Sequence, residues 1–273
     1  MISAFALLFF GLRPGIDFTG GSIMELNYRD SRLSNDKILN KLEEFDLGTV
    51  YVQPTGENGV IIRMKNISEQ THQKVLEKFS ETEEQRFESV GPIIGRELKN
   101  KTKVVIIIAL LSMIIYIALA FRRIQRPLRS WVYGIASVIA LFHDILIPLG
   151  VFAFLGKFYN IEITIPVITA LLAVLGYSIN NTVVVFDRIR ENLSRRGESF
   201  EQTVDISLNQ TLTRQINTSL TTLFVAASIF FFGGETLKYF ALALILGIGA
   251  GTFSSIFLAG PFLVAWHHFR RKQ

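Results

Sequence analysis

An aspartate and a histidine interrupt a long apolar run at His143 and Asp144, in a stretch that reads ALFHDILIP over Ala140–Pro148. An ionised carboxylate at the centre of a membrane helix costs about 2.5–3.5 kcal/mol on insertion scales, so it needs polar surroundings or a proton. The chemistry open to Asp144 is carriage of a proton or ion, and the plainer alternative is a hydrogen bond to a neighbouring helix. A second apolar run carries Tyr177, Ser178, Asn180, Asn181 and Thr182. Tyr177 and Asn181 are four apart and share a helix face. A third run carries Asn217, Thr218, Ser219, Thr221 and Thr222, close to Arg214. Such groups are unsatisfied in lipid, so they are expected to face one another inside a bundle, as packing glue or as a relay or water-filled path. Asp187, followed by Arg188 and Arg190, falls at a helix end where charge is cheap, and reads as an interfacial anchor.

Bond-making chemistry finds no such footing. The chain has no cysteine, which removes disulfides, thiol nucleophiles and thiolate metal sites. No phosphate-binding loop, metal set or nucleophile–base pair is visible, and no cofactor is implied. His72 is a single histidine on a charged helix and is expected to be solvated.

The elements that must position these residues are membrane spans. Of 273 residues 49% are hydrophobic, and the mean hydropathy is +0.37, which suits a chain that puts apolar surface against lipid. The net charge of +5 does not indicate nucleic acid, because the basic residues sit beside hydrophobic runs. Runs long enough to cross roughly 30 Å of hydrocarbon are Val104–Phe121, Trp131–Leu155, Ile161–Phe186, Ile216–Phe232 and Tyr239–Trp266. Met1–Leu12 is apolar but short, and residues 1–14 read as the end of a first, apparently truncated span. The expected architecture is an all-α bundle of six spans, five of them within 102–273.

Arginines set the sidedness. One connection holds Arg122, Arg123, Arg126 and Arg129; another holds Arg188, Arg190, Arg195, Arg196 and Arg214; the tail ends Arg270, Arg271, Lys272. The alternate short loops hold only Lys157 and Lys238. The positive-inside rule makes the arginine connections and the C-terminus cytoplasmic. Residues 15–101 then lie outside. Ser22–Tyr28 alternates as a strand, Ser34 caps a helix reaching Phe45, Thr49–Gln53 and Val60–Met64 are strands separated by Pro54, Gly56 and Gly59, Ser68–Ser80 is an amphipathic helix, and Glu84–Val90 alternates again. That order is the ferredoxin-like α+β pattern. Residues 187–213 include an amphipathic stretch, Ser199–Leu212, expected along the inner membrane face. Gly247 and Gly251 have the small-xxx-small spacing that lets helices approach closely, followed by Ser254 and Ser255.

Four stretches carry a family resemblance. Gly15–Leu26, GIDFTGGSIMEL, is similar to the glycine-rich signature after the first span of the SecF family; Val90–Leu98, VGPIIGREL, resembles the element before its second span. Ala140–Pro148 resembles the family's histidine–aspartate motif, and Gly176–Asn192, GYSINNTVVVFDRIREN, its most specific one, continued by Leu208–Thr222. The resemblance implies an RND-like fold in the bacterial inner membrane, a SecD partner, a place beside the SecYEG channel, and late preprotein translocation driven by the proton or sodium gradient. Asp17, Gly20 and Gly21 are the family's outer-segment residues, with a plain turn and strand entry as the alternative reading. Rival functions are an RND-type exporter of small molecules or lipids, against which the single outer domain of about ninety residues argues, and an uncoupled scaffold.

One departure from the family pattern stands out. Where the family has an aspartate taken as the proton carrier, this chain has Asn181, and an amide has no accessible proton equilibrium. Coupling has then moved to Asp144 or to SecD, or the subunit is uncoupled, or the asparagine is an engineered near-isostere. The resemblance also places Arg214 opposite that acid, so here it is expected to bond the Asn181 carbonyl or turn to Asp187.

Overall fold

The computed structural model describes residues 2–121, 128–195 and 199–271. Arg122, Arg123, Arg126, Arg196 and Lys272, used above for sidedness, lie outside these residues. The chain forms two compact units, one of residues 14–104 and one of residues 1–13 with 105–273.

In the first unit a short helix α2 (Ile16–Thr19) leads into strand β1 (Gly21–Tyr28), followed by α3 (Asn35–Leu42), β2 (Tyr51–Thr55), β3 (Gly59–Met64), α4 (Glu69–Glu77) and β4 (Thr82–Val90). The sheet order is β2-β3-β1-β4, and every neighbouring pair is antiparallel. Alternation places Met24, Leu26 and Tyr28 of β1 and Val60, Ile62 and Met64 of β3 on one face, where they pack with Ile38, Leu42, Val75 and Phe79 from α3 and α4. The opposite face carries the smaller cluster of Ile16, Ile23 and Ile61. Pro54, read as a separator, lies inside β2 opposite Val60; β2 is an edge strand, where a missing N–H costs no ladder bond.

His72 departs from its solvated expectation. It is only 4% exposed and stacks on Phe87 with ring centroids 3.7 Å apart. Its Nε2 lies 2.6 Å from Glu84 Oε1 and its Nδ1 3.1 Å from Glu69 Oε1. Two carboxylates and an aromatic face let a polar ring occupy the buried side of α4, a compensation that the charged neighbours of His72 in sequence do not reveal.

The glycine motif of the outer segment has a packing explanation. Gly20 takes φ +76°, in the left-handed region, and a Cβ there would lie 2.8 Å from the Pro92 Cα; a Cβ on Gly95 would lie 2.8 Å from the Gly20 amide nitrogen. Glycine is thus needed both for the turn and for the approach of the following helix.

That helix is α5 (Pro92–Ala120), followed by α6 (Ser130–Tyr159), α7 (Ile165–Arg195), α8 (Phe200–Phe232), α9 (Glu235–Ser254), a π-helical turn (Ser255–Ala259) and α10 (Gly260–Arg271). Five helical segments among the described residues, with α9 to α10 counted as one, are long and apolar enough to cross a membrane. The expected first span is the nine-residue helix α1 (Ile2–Phe10), about 14 Å long at 1.5 Å per residue and too short to cross by itself. It packs on α6 so closely that a Cβ on Gly150 would sit 2.4 Å from the Ser3 Cα. Residues 200–213, expected as a separate stretch, are the first turns of the unbroken α8, and residues 187–195 complete α7. Ser199 begins α8 with a reciprocal capping box to Gln202, which satisfies two end groups and lets the helix start there.

Candidate functional site

The polar groups of α6, α7 and α9 converge on Asp144, which is fully buried. Its Oδ2 accepts hydrogen bonds from Ser178 Oγ at 2.5 Å and Ser254 Oγ at 2.8 Å. Its Oδ1 lies 2.9 Å from His143 Nδ1. Glycines create the space for this meeting. A Cβ on Gly247 would fall 2.3 Å from a Val174 methyl, and one on Gly251 would fall 3.3 Å from Ser178 Cβ and 3.4 Å from Asp144 Oδ2. The small-xxx-small spacing therefore draws α9 onto α7 and brings Ser254, one turn beyond Gly251, to the carboxylate. The π-helical turn starts immediately after Ser254, and such turns are frequent at functional sites.

Asn181 lies one turn along α7 from Ser178. It is 3% exposed, and its Nδ2 makes no hydrogen bond among the described residues; nor does Thr182 Oγ1. A second set of polar groups ties α8 to its neighbours. Tyr177 donates to Ser219 Oγ at 3.3 Å, Ser219 and Thr252 hydroxyls are 2.6 Å apart, and Ser255 donates to Gln215 Oε1 at 2.6 Å. Nearer the start of α8, Asn192 donates to Ser207 Oγ and Gln210 Oε1 at 2.8 and 2.9 Å, and Arg188 Nε to the same Gln210 oxygen at 2.7 Å.

The expectation that all intramembrane polar groups face the interior holds for Ser178, Asn181, Thr182 and Ser219. It fails for Asn180, Arg214, Asn217, Thr218 and Thr221, which are exposed. The threonines tolerate this because they bond their own helix: Thr218 donates to the Arg214 carbonyl and Thr221 to the Thr218 carbonyl, both at 2.8 Å. The Arg214 side chain has no partner among the described residues, so neither expected contact, to the Asn181 carbonyl or to Asp187, is present. Asp187 instead pairs with Arg190 at 2.6 Å on an exposed helix face. Asp17 falls in the first turn of α2, in the other unit. Of the four relay candidates, Asp144 on α6 and Asn181 on α7 are buried, and Arg214 and Asp187 are exposed and do not join them.

Ser254 and Gln215 were not singled out from sequence as partners of buried polar groups. The available signal for Ser254 was its seven-residue spacing from Gly247, which keeps it on the glycine face.

A bundle of helices long and apolar enough to cross a membrane, burying the Asp144 carboxylate among hydroxyls and carried in the same chain as a small α/β module, defines the class as an integral membrane protein. The comparisons narrow the class. Residues 70–269 match the model described as protein export membrane protein SecD/SecF, C-terminal, and residues 5–31 match the SecD/SecF GG motif. The chain is 44% identical to the protein translocase subunit SecF of Thermobaculum terrenum, over 96% of this chain and 87% of that one. It is 38% identical to the SecF of Haemophilus influenzae, over 95% and 78% of the two chains. The crystal structure of SecDF from Thermus thermophilus, titled a translocon-associated membrane protein, superposes with a TM-score of 0.84 at 33% identity. That match covers 98% of this chain and 36% of the SecDF chain, so the chain spans about a third of that longer protein. The chain belongs to the SecF family of protein translocase subunits.

Proposed function

We propose that this subunit assists late preprotein translocation across the bacterial inner membrane beside a SecYEG-type channel, coupled to the proton or sodium gradient through Asp144. The carrying observation is the burial of that carboxylate among Ser178, Ser254 and His143. A group that must load and release a proton needs an acid–base equilibrium, which Asp144 has and Asn181 lacks. Moving one charge across a 100 mV potential yields roughly 2.3 kcal/mol, the scale of work available per turn of such a cycle. Residues 15–101 are read as a ferredoxin-like module outside the cell membrane, and the C-terminus as cytoplasmic.

The second part of the proposal is a SecD-type partner. Asn180 and Asn217 are exposed on α7 and α8, and amide groups at membrane depth are costly against lipid. A second membrane chain with its own intramembrane polar residues satisfies them. The uncoupled scaffold is the competing reading.

Export in vesicles reconstituted with channel, motor ATPase, a SecD-type partner and this chain separates the two. Stimulation by an imposed gradient that disappears when this chain is omitted supports coupling. Stimulation by the chain that is the same with and without a gradient supports the scaffold.

A further inference from the structure

A groove of about 570 Å³ runs between α5 and α6, lined chiefly by Ile114, Ile117, Trp131, Gly134, Ile135 and Val138. Gly134 keeps it open: a Cβ there would meet only an Ile117 methyl, at 3.8 Å. We infer that this groove is a binding site for an anionic phospholipid, with an acyl chain along the apolar lining and the headgroup phosphate among arginines at its mouth.

Size and charge argue for that occupant. An α-helix with its side chains is about 10–12 Å across, so 570 Å³ holds roughly one turn of a partner helix; a row of methylenes fills the same space lengthwise. The mouth is marked by Trp131, whose ring meets Trp266 edge-on at 5.3 Å, and tryptophan favours the depth of lipid headgroups. Arg129 immediately precedes the lining residues and is exposed. Trp266 brings the last turn of α10, with exposed Arg270 and Arg271, to the same end of the bundle. The nearby carboxylate of Glu201 is engaged by His267 and His268, at 3.1 and 3.2 Å. Arg129, Arg270 and Arg271 have no carboxylate partner among the described residues. Clustered basic residues beside a membrane helix attract anionic headgroups, and a zwitterionic headgroup gains little from them.

The chain contains two tryptophans, both at this mouth, which makes it self-reporting. The full chain is placed in phosphatidylcholine vesicles, and its fluorescence is quenched by brominated phosphatidylglycerol or, in parallel, brominated phosphatidylcholine. The expected result is preferential quenching by phosphatidylglycerol, falling about fivefold for each of Arg129→Gln and Arg270→Gln. Gly134→Leu, which fills the groove, abolishes the preference, and Gly134→Ala retains it. Equal quenching of the wild type by both lipids overturns the inference, and does so even if Gly134→Leu fails to fold. A folded Gly134→Leu chain with undiminished preference overturns it too, as does protection from both lipids that grows with protein density, the mark of a second copy in the groove.

Discussion

Replacing Gly247 with alanine tests how the site is assembled. The new Cβ would lie 2.3 and 2.5 Å from the two Val174 methyls and 2.9 Å from its Cβ, where carbon pairs rest at about 3.5–4.0 Å. Val174 is fully buried, and a valine on a helix has one strongly preferred rotamer, so it cannot swing aside. The two helices must therefore part by at least ~1 Å. Two turns along α9, moving that helix strains the 2.8 Å bond from Ser254 to Asp144 of α6, which leaves hydrogen-bonding range once lengthened by ~1 Å. Overpacking of this kind costs about 1–3 kcal/mol, and the better helix propensity of alanine returns no more than ~1 kcal/mol. A net loss of about 1 kcal/mol lowers the melting temperature of a chain this size by about 2–4 °C. The assay is thermal unfolding of the purified chain together with export in a strain lacking its own subunit. Val174→Ala in the same chain removes both methyl clashes and recovers at least half of each loss. A Gly247→Ala chain that melts and exports like the wild type would refute the close α7–α9 contact and its link to Asp144.

His72→Ala destabilises the outer module by about 2 kcal/mol, the sum of a lost ring stack and hydrogen bonds to partly exposed carboxylates; local hydrogen exchange in α4 and β4 of the full chain reads it, and unchanged protection contradicts the buried geometry. Glu81 is held below the usual carboxylate range by its hydrogen bond to the Lys41 ammonium, 2.5 Å away. A depressed folded value means the unfolded chain binds more protons, so this contribution is present above about pH 4.3 and is lost as pH falls through the folded value. Lys41→Gln flattens that acid limb, modestly because Glu81 is 42% exposed, and an unchanged limb in melting curves between pH 5 and 3 counts against the pairing. Asn181→Asp places a carboxyl one turn along α7 from Ser178, and the expected outcome is higher export at normal protein levels; no gain sinks the reading of that position as an acid site.

Much of the fold was legible because it depends on run length and period. An apolar run that crosses a bilayer is long whatever it packs against, and Ser22–Tyr28 of β1 and Glu84–Val90 of β4 alternate in sequence because the two faces of a strand differ. The site was only half legible. Asp144 declared itself by the cost of a carboxylate in lipid, but which turn of a polar helix faces inward depends on its neighbours. Asn180 and Asn181 are adjacent in sequence and end on opposite sides of that question, as do Thr218 and Ser219. Ser254 looked like part of a small-residue packing stripe, and only the third helix at the seam makes its hydroxyl a ligand of Asp144. His72 misled for the same reason, since its burial is made by Glu84 and Phe87 from a strand ten and more residues away.

Asp144→Asn in reconstituted vesicles tests the central claim most directly. The amide keeps the shape and can still accept from Ser178 and Ser254, so the helices stay packed while the exchangeable proton is gone. Export should lose its response to an imposed gradient and fall to the level seen without the subunit; an undiminished response, with the protein present in normal amount, would place the coupling elsewhere.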